Sequence, residues 1–209
     1  METQRTVNLF MDIETYSSDN KPTIEDISAP ANYKDADKIL AYKQEHLDSA
    51  WRKQALDSML GQIICISYAI NDEEVVALTG TEKEIIAAFA DVVCAYPYAQ
   101  FVGFNHKRFD LVWLFHRFVK YKHSEAMVIL PHTKNDSSII DVMEIFSASN
   151  YGSDSWVSLD TLAKFLGLPC KDFDGSKIHD LYLEGKIDEI VKHCEDDVRL
   201  TRDIYKLTQ

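Results

Sequence analysis

The 209 residues, 46% hydrophobic and 11% aromatic, are enough to bury one substantial core and few for two, so one domain over residues 1–209 is expected. The formal net charge of −12 counts against a protein that coats a polyanion, since sequence-independent affinity for nucleic acid comes mostly from Lys and Arg at phosphates. It does not count against a site where clustered acids are needed as cation ligands.

Met1 to Thr6 is polar, and the apolar run Val7–Met11 is too short for a signal peptide or a membrane span. A soluble, intracellular, cytoplasmic protein without membrane association is the expectation. Val7 to Glu14 reads as a buried strand that ends in acids, because its side chains are mostly aliphatic or aromatic. Tyr16 to Pro30 is polar and turn-rich. Asp37 to Met59 then has the apolar spacing of a long amphipathic helix, anchored by Ile39, Leu40, Leu47, Trp51 and Leu56. Together they predict a helical insertion at about 16–60.

Gln62–Ile70 and Glu74–Leu78 read as an antiparallel hairpin turning at Asn71-Asp72. Thr81 and Glu84 have the capping-box spacing, and a helix follows with Ile85, Ile86, Phe89, Val92 and Val93 on one face, ending before Pro97. Phe101–Phe104 is a short strand. Phe109–Tyr121 is a helix packed through Leu111, Val112, Leu114, Phe115 and Phe118, and Ile139–Val142 is a further short strand. Ser158 caps a helix running to Leu166, and the last helix spans Ile187 to Leu207. A hairpin first, then strands alternating with helices, predicts an α/β layered domain with a mixed sheet. Cys65, Cys94, Cys170 and Cys194 form neither a CxxC pair nor a compact Cys/His cluster, and read as reduced core or near-core thiols.

Three acidic elements carry the chemistry. Residues i and i+2 of a strand share a face, so Asp12 and Glu14 project side by side. Their repulsion is offset if a divalent cation sits between them, and hard oxygen donors suit Mg²⁺ or Mn²⁺. Chance acids on a solvated surface are the alternative; the apolar run before them favours a site at a sheet edge. Asp110 stands at a helix start after Gly103–Phe109, as a ligand or simply as a cap stabilised by the helix dipole. The adjacent Lys107 and Arg108 could meet a phosphate or lie in a solvated loop. In the last helix Ile190, Cys194, Asp197, Thr201 and Ile204 form one mainly apolar stripe, whereas Lys192, Asp196, Arg199 and Asp203 form a charged face. Asp196 is therefore a solvated residue, while Asp197 would be a buried charge in need of a cation. His193, one turn earlier, can approach the same site or be an ordinary helical histidine.

D-x-E after an apolar strand, N-x-x-x-F-D at Asn105–Asp110, and an aromatic-x-x-x-D-type element near the C-terminus resemble the three motifs of the DEDD superfamily. These are ribonuclease-H-like 3′–5′ exonucleases that include polymerase proofreading domains. The ordered motifs span about nine tenths of the chain. Ser158–Ala163, Asp174–Lys177 and His193–Tyr205 are most similar to the stand-alone branch related to family-B DNA polymerase exonuclease domains.

The resemblance implies a ribonuclease-H-like, mixed five-stranded sheet flanked by helices. It implies ligation of two divalent ions, Mg²⁺ or Mn²⁺, by Asp12, Glu14, Asp110 and Asp197. It also implies hydrolysis from the 3′ end of nucleic acid, with DNA favoured over RNA and nucleoside 5′-monophosphates as products. An exoribonuclease of the same fold and a catalytically inactive binding module are the alternatives. One position departs from the family's two subgroups: His193 has three residues between it and Asp197, a histidine at the spacing of the tyrosine subgroup. It is expected to act as general base or to orient the attacking water, and an ordinary imidazole pKa near ~6.5 permits the first role. Phe104, Phe109, Trp113 and Tyr151 are the aromatic residues that could stack on terminal bases, with core packing as the alternative.

Overall fold

The computed structural model describes residues 7–131, 136–147, 157–170 and 173–209. The apolar run after Val7 forms β1 (Asn8–Tyr16), followed by β2 (Gln62–Ile70), β3 (Val76–Leu78), β4 (Gln100–Gly103) and β5 (Ile139–Asp141). They make one five-stranded sheet in the order β3-β2-β1-β4-β5. β1 pairs with β4 in parallel, Leu9 opposite Phe101, and β4 with β5 in parallel, Phe101 opposite Ile139. β2 and β3 are antiparallel, Tyr68 opposite Val76. The sheet is therefore mixed and the fold α/β, as expected. The helices are α1 (Ala36–Lys53), α2 (Glu82–Ala95), α3 (Asp110–Tyr121), α4 (Ser124–Ile129), α5 (Val142–Ser147), α6 (Leu159–Leu166), α7 (Ile178–Leu183) and α8 (Ile187–Lys206).

Two compact units emerge where the sequence suggests one domain with an insertion: Met1–Glu14 with Ile64–Gln209, and Thr15–Ile63. In the smaller unit, Asp35 caps α1 by accepting from the amides of Asp37 and Lys38. The helix stops at Lys53, six residues short of the expected Met59. A 3₁₀ turn at Gln54–Leu56 tightens its end, and Asp57 then accepts from the amide of Met59 at 2.8 Å, a local turn that competes with helix.

In the larger unit, Phe10, Val102, Val142, Leu162, Val198 and Ile204 belong to one buried cluster that joins the sheet to α5, α6 and α8. The strand after the hairpin turn starts at Val76 rather than Glu74, because Glu73 closes the turn through its amide to the Ile70 carbonyl at 2.9 Å. Asn71 takes the left-handed conformation there, φ 50°, which asparagine tolerates better than most residues. Among the described residues no helix is long and apolar enough to cross a membrane. All four cysteines are free, Cys65 and Cys194 buried.

The inner face of α3 differs from the sequence reading. Leu111, Leu114 and Phe118 are buried as expected, but Val112 is 38% exposed, and Trp113 and Arg117 are buried. Helical spacing explains it: residues 110, 114 and 117 share a face, and position 112 lies across from them. Arg117 can be buried because its guanidinium donates to Glu82 at the start of α2, where Lys120 Nζ (2.9 Å) and Tyr121 Oη (2.6 Å) also donate. The start of α2 and the last turns of α3 are pinned together by this one carboxylate. Glu82→Ala is expected to cost about 3–5 kcal/mol, the usual result of removing one partner of a buried ion pair. Lys192→Ala, which breaks only an exposed pair with Asp196, should cost less than about 1 kcal/mol. Urea denaturation midpoints compare the two; equal costs would refute this view of Glu82.

Candidate active site

Strand parity sets the first two acids. The burial pattern along β1 leaves Asp12 and Glu14 partly exposed while Met11, Ile13 and Thr15 are buried, so both carboxylates leave the strand on one side. Between them the amide of Ile13 donates to Asp110 Oδ1 at 3.1 Å. This hydrogen bond ties Asp110, the first residue of α3, to the strand that carries the other two acids. Phe109 precedes the helix and makes no side-chain cap, and the Asp110 carboxylate meets its own main-chain amide as well as that of Ile13.

From the other side comes α8. Ile190, Cys194, Thr201 and Ile204 of the expected stripe are buried, and Cys194 Sγ lies 3.4 Å from the main-chain oxygen of Asp12. This contact seats the middle of α8 on β1 beside the acids. Asp197, one turn on, keeps 24% of its side chain exposed, whereas Asp196 faces outward and accepts from Lys192 and Arg199. His193 lies between two acids: Nε2 is 3.4 Å from Glu14 Oε1, and Nδ1 is 3.5 Å from Asp197 Oδ1. A neutral imidazole carries one N–H and so can donate to only one of them at a time.

The electrostatics follow from crowding. Burial raises Asp12 and Glu14 well above the usual carboxylate range; on Asp12 the Cys194 thiol and then Asp110, Asp197 and Glu14 add to it, and on Glu14 Asp197 and Asp110 do. Burial likewise raises Asp110 to about 7, although amide donors including Ile13 work against the shift. Asp197 is raised to about 7 by burial, then by Asp160 and Asp196. Burial lowers His193, which keeps it neutral and able to accept a proton, with Asp160 and Asp196 opposing the shift.

The four predicted acids and His193 are therefore brought into one another's fields. Hard carboxylate donors that burial and mutual repulsion hold away from ionisation are chemically suited to a divalent cation. Among the described residues, however, no three His, Cys, Asp or Glu side chains are gathered as a ready set of ligands for one ion. The donor chemistry fits a metal, while the arrangement of oxygens is not yet a coordination shell.

Other residues fall differently from the sequence reading. Lys107 does not lie free in a solvated loop: its side chain is 17% exposed and Nζ pairs with Glu144 Oε2 at 2.7 Å. Arg108 is exposed. Trp113 is 1% exposed and belongs to the core, Phe104 packs against the buried cluster, and Phe109 stands 5.8 Å from the Trp113 ring; Tyr151 lies outside the described residues. Two neighbours of the site were not anticipated. Phe173 stacks on His193, centroids 3.8 Å apart, in the lining of a cavity of about 740 Å³ that also includes Asp160, Lys192, Asp197 and Arg199. Asp141, at the end of β5, is a further acid beside the site, buried like Asp110, that burial raises and that adds to the upward push on Asp110. Its sequence signal is the one that marks Asp12, an acid closing an apolar strand; for Phe173 there is none.

Comparison with known proteins places this geometry. No curated protein sequence matches the chain. In fold it is similar to the family B DNA polymerase from the hyperthermophilic archaeon Pyrobaculum calidifontis, with a TM-score of 0.59 and 15% identity. That likeness covers 97% of this chain and 24% of the polymerase, so the chain spans about a quarter of that protein's length. Residues 54–207 match the family described as predicted 3′–5′ exonucleases related to the exonuclease domain of PolB. The matched segment holds Asp110, His193 and Asp197, and begins after Asp12 and Glu14. With a ribonuclease-H-like fold and most of its length matched, the chain belongs to this family of predicted PolB-related 3′–5′ exonucleases.

Proposed function

We propose that the protein hydrolyses DNA, in single-stranded form, from its 3′ end and releases nucleoside 5′-monophosphates. The observation that carries this reading is the convergence of Asp12, Glu14, Asp110 and Asp197 around one end of β1, with His193 between Glu14 and Asp197. The choice of DNA is supported by the family's relation to PolB and by the fold likeness to a DNA polymerase.

Asp12, Glu14, Asp110 and Asp197 would hold two divalent ions, Mg²⁺ or Mn²⁺, with some side-chain rearrangement. Bound there, the ions would supply positive charge that acidifies water and offsets charge developing on the phosphate and the leaving oxygen. His193, neutral and lodged against two acids, orients the attacking water and takes its proton at the imidazole nitrogen turned toward it. Water oxygen bonds to the terminal phosphorus, the bond from phosphorus to the 3′ oxygen breaks, and that oxygen takes up a proton from solvent, to which His193 returns the one it accepted. Phe173 limits the tilt of the His193 ring.

Two outcomes are expected. With 5′-labelled single-stranded DNA and Mn²⁺ or Mg²⁺, the wild type shortens the strand from its 3′ end. Asp12→Ala and Asp197→Ala should lose on the order of 1,000-fold, a loss of several kcal/mol of charge stabilisation, and His193→Ala about 100-fold. A wild type that releases no mononucleotide in either metal, or an Asp12→Ala variant of equal activity, refutes the reading.

The second outcome concerns stability without metal. Asp197 is raised to about 7 against an unfolded value near ~3.9. Its protonated form therefore favours the folded state below the unfolded value, and this contribution disappears as pH rises through about 7. His193, lowered, acts in the opposite sense below its ordinary value, so the comparison is with a variant that keeps it. In EDTA, Asp197→Asn should exceed wild type in Tm at both pH values, by less at pH 5 than at pH 8, because the loss begins above the unfolded value and is complete only above about 7. Saturating Mn²⁺ should stabilise the wild type more at pH 8 than at pH 5. The same Tm difference at both pH values contradicts the electrostatic account.

A further inference from the structure

Between β4 and α3 only Phe104–Phe109 separate the sheet from Asp110, and this short loop is fastened from one direction. Asp141 ends β5 directly opposite Gly103, the last residue of β4. Its carboxylate is 3% exposed and accepts three main-chain N–H groups. Oδ1 takes the amides of Asn105 (2.9 Å) and Met143 (3.1 Å), and Oδ2 takes the amide of Lys107 (3.1 Å). Only the Met143 bond serves Asp141's own helix, as a cap on α5. The other two cross 36 and 34 residues of sequence to hold the loop.

The loop has little freedom to relax around that clamp. Asn105 adopts the left-handed conformation, φ 59°, which costs most residues energy and persists where neighbours enforce it. A Cβ on Gly103 would collide with the ring of His106, which is fully buried beneath the loop. Lys107 Nζ adds an ion pair to Glu144 of α5. Three residues beyond Lys107 stands Asp110, whose Oδ1 has a single amide of β1 to meet.

We propose that Asp141 is a positioning residue for the acidic site: by gripping the amides of Asn105 and Lys107 it sets where Asp110 stands relative to Asp12 and Glu14. It acts through Asp110 and touches no substrate. The inference rests on the functional reading above for its kinetic part, but its binding and exchange parts do not need turnover.

The bland alternative, a helix cap and nothing more, makes a separable prediction. Serine caps helices well, yet its hydroxyl is too short to reach across to two loop amides. Asp141→Ser therefore preserves the α5 cap and releases the loop, while Glu144→Gln removes only the ion pair and leaves both clamp bonds. With Asp141→Ser, kcat on a single-stranded oligonucleotide should fall by about 10–100-fold, the range for residues that orient ligands from behind, with KM nearly unchanged. Mn²⁺ affinity by calorimetry should weaken by about the same range. In the metal-free variant the amides of Asn105 and Lys107 should exchange with solvent faster than in wild type, and Glu144→Gln should match wild type in all three measurements.

Asp141→Ser with wild-type kcat and wild-type Mn²⁺ affinity overturns the proposal, whatever its Tm. So does a loss as large as that of Asp110→Asn, which would make Asp141 a ligand itself. If Asp141→Ser fails to fold, Asp141→Asn, which gives up the Lys107 acceptor alone, decides by the same criteria. A wild type that binds Mn²⁺ without cutting DNA, with binding weakened in the variant, would refute the exonuclease reading and leave the positioning role standing.

Discussion

Burial of four neighbouring carboxylates, compounded by their repulsion, is the constraint around which the larger unit is arranged. Asp12, Glu14, Asp110 and Asp197 act on one another, and burial makes their ionised forms still more costly. Left to itself a chain would separate such groups. Here three devices resist separation: the pleat of β1 for Asp12 and Glu14, the amide of Ile13 for Asp110, and the buried stripe of α8 for Asp197. The stability lost to repulsion is recovered in the core behind them, where Cys194 and Val198 are fully buried beside Asp197 on α8. A site that costs stability in this way is what a cation-dependent enzyme would keep.

The sheet topology explains why the acids meet. β1 lies at the centre of the order β3-β2-β1-β4-β5, and β4 and β5 run parallel to it. Parallel neighbours run toward the same edge, so Asp12, which β1 carries just beyond its pairing with β4, the loop leaving β4 and the acid closing β5 share one rim of the sheet, where ligands in open α/β folds commonly bind. The clamp of Asp141 on the loop to Asp110 is a direct product of that geometry. The packing of α8 across β1 brings the last acid and His193 to the same rim from outside the sheet.

Much of this was legible in the sequence, and the parts that were not have physical reasons. Period-two spacing placed Asp12 and Glu14 together, and helical spacing separated Asp197 from Asp196, because both are local rules about which side chains share a face. The hairpin and both side-chain caps were readable for the same reason. Asp110 was ambiguous, since a helix-start carboxylate that caps and one that reaches across to another strand look alike in sequence; only the tertiary bond to Ile13 tells them apart. The pairing of Lys107 and the burial of Arg117 had no local signal, because their partners, Glu144 and Glu82, lie 37 and 35 residues away in sequence. Phe173 and the clamp by Asp141 depend on contacts that no local period encodes. The 3₁₀ turn and the Asp57 turn that cut α1 short are local competitors of helix that amphipathic spacing ignores.

The central claim is that these acids are a divalent metal site. Its most direct test is anomalous diffraction from crystals soaked in Mn²⁺. The account predicts two manganese peaks bound by carboxylate oxygens of Asp12, Glu14, Asp110 and Asp197, with side chains rotated from their metal-free positions. Clear density for all four acids with no manganese among them, or manganese bound only elsewhere on this acidic surface, would contradict it.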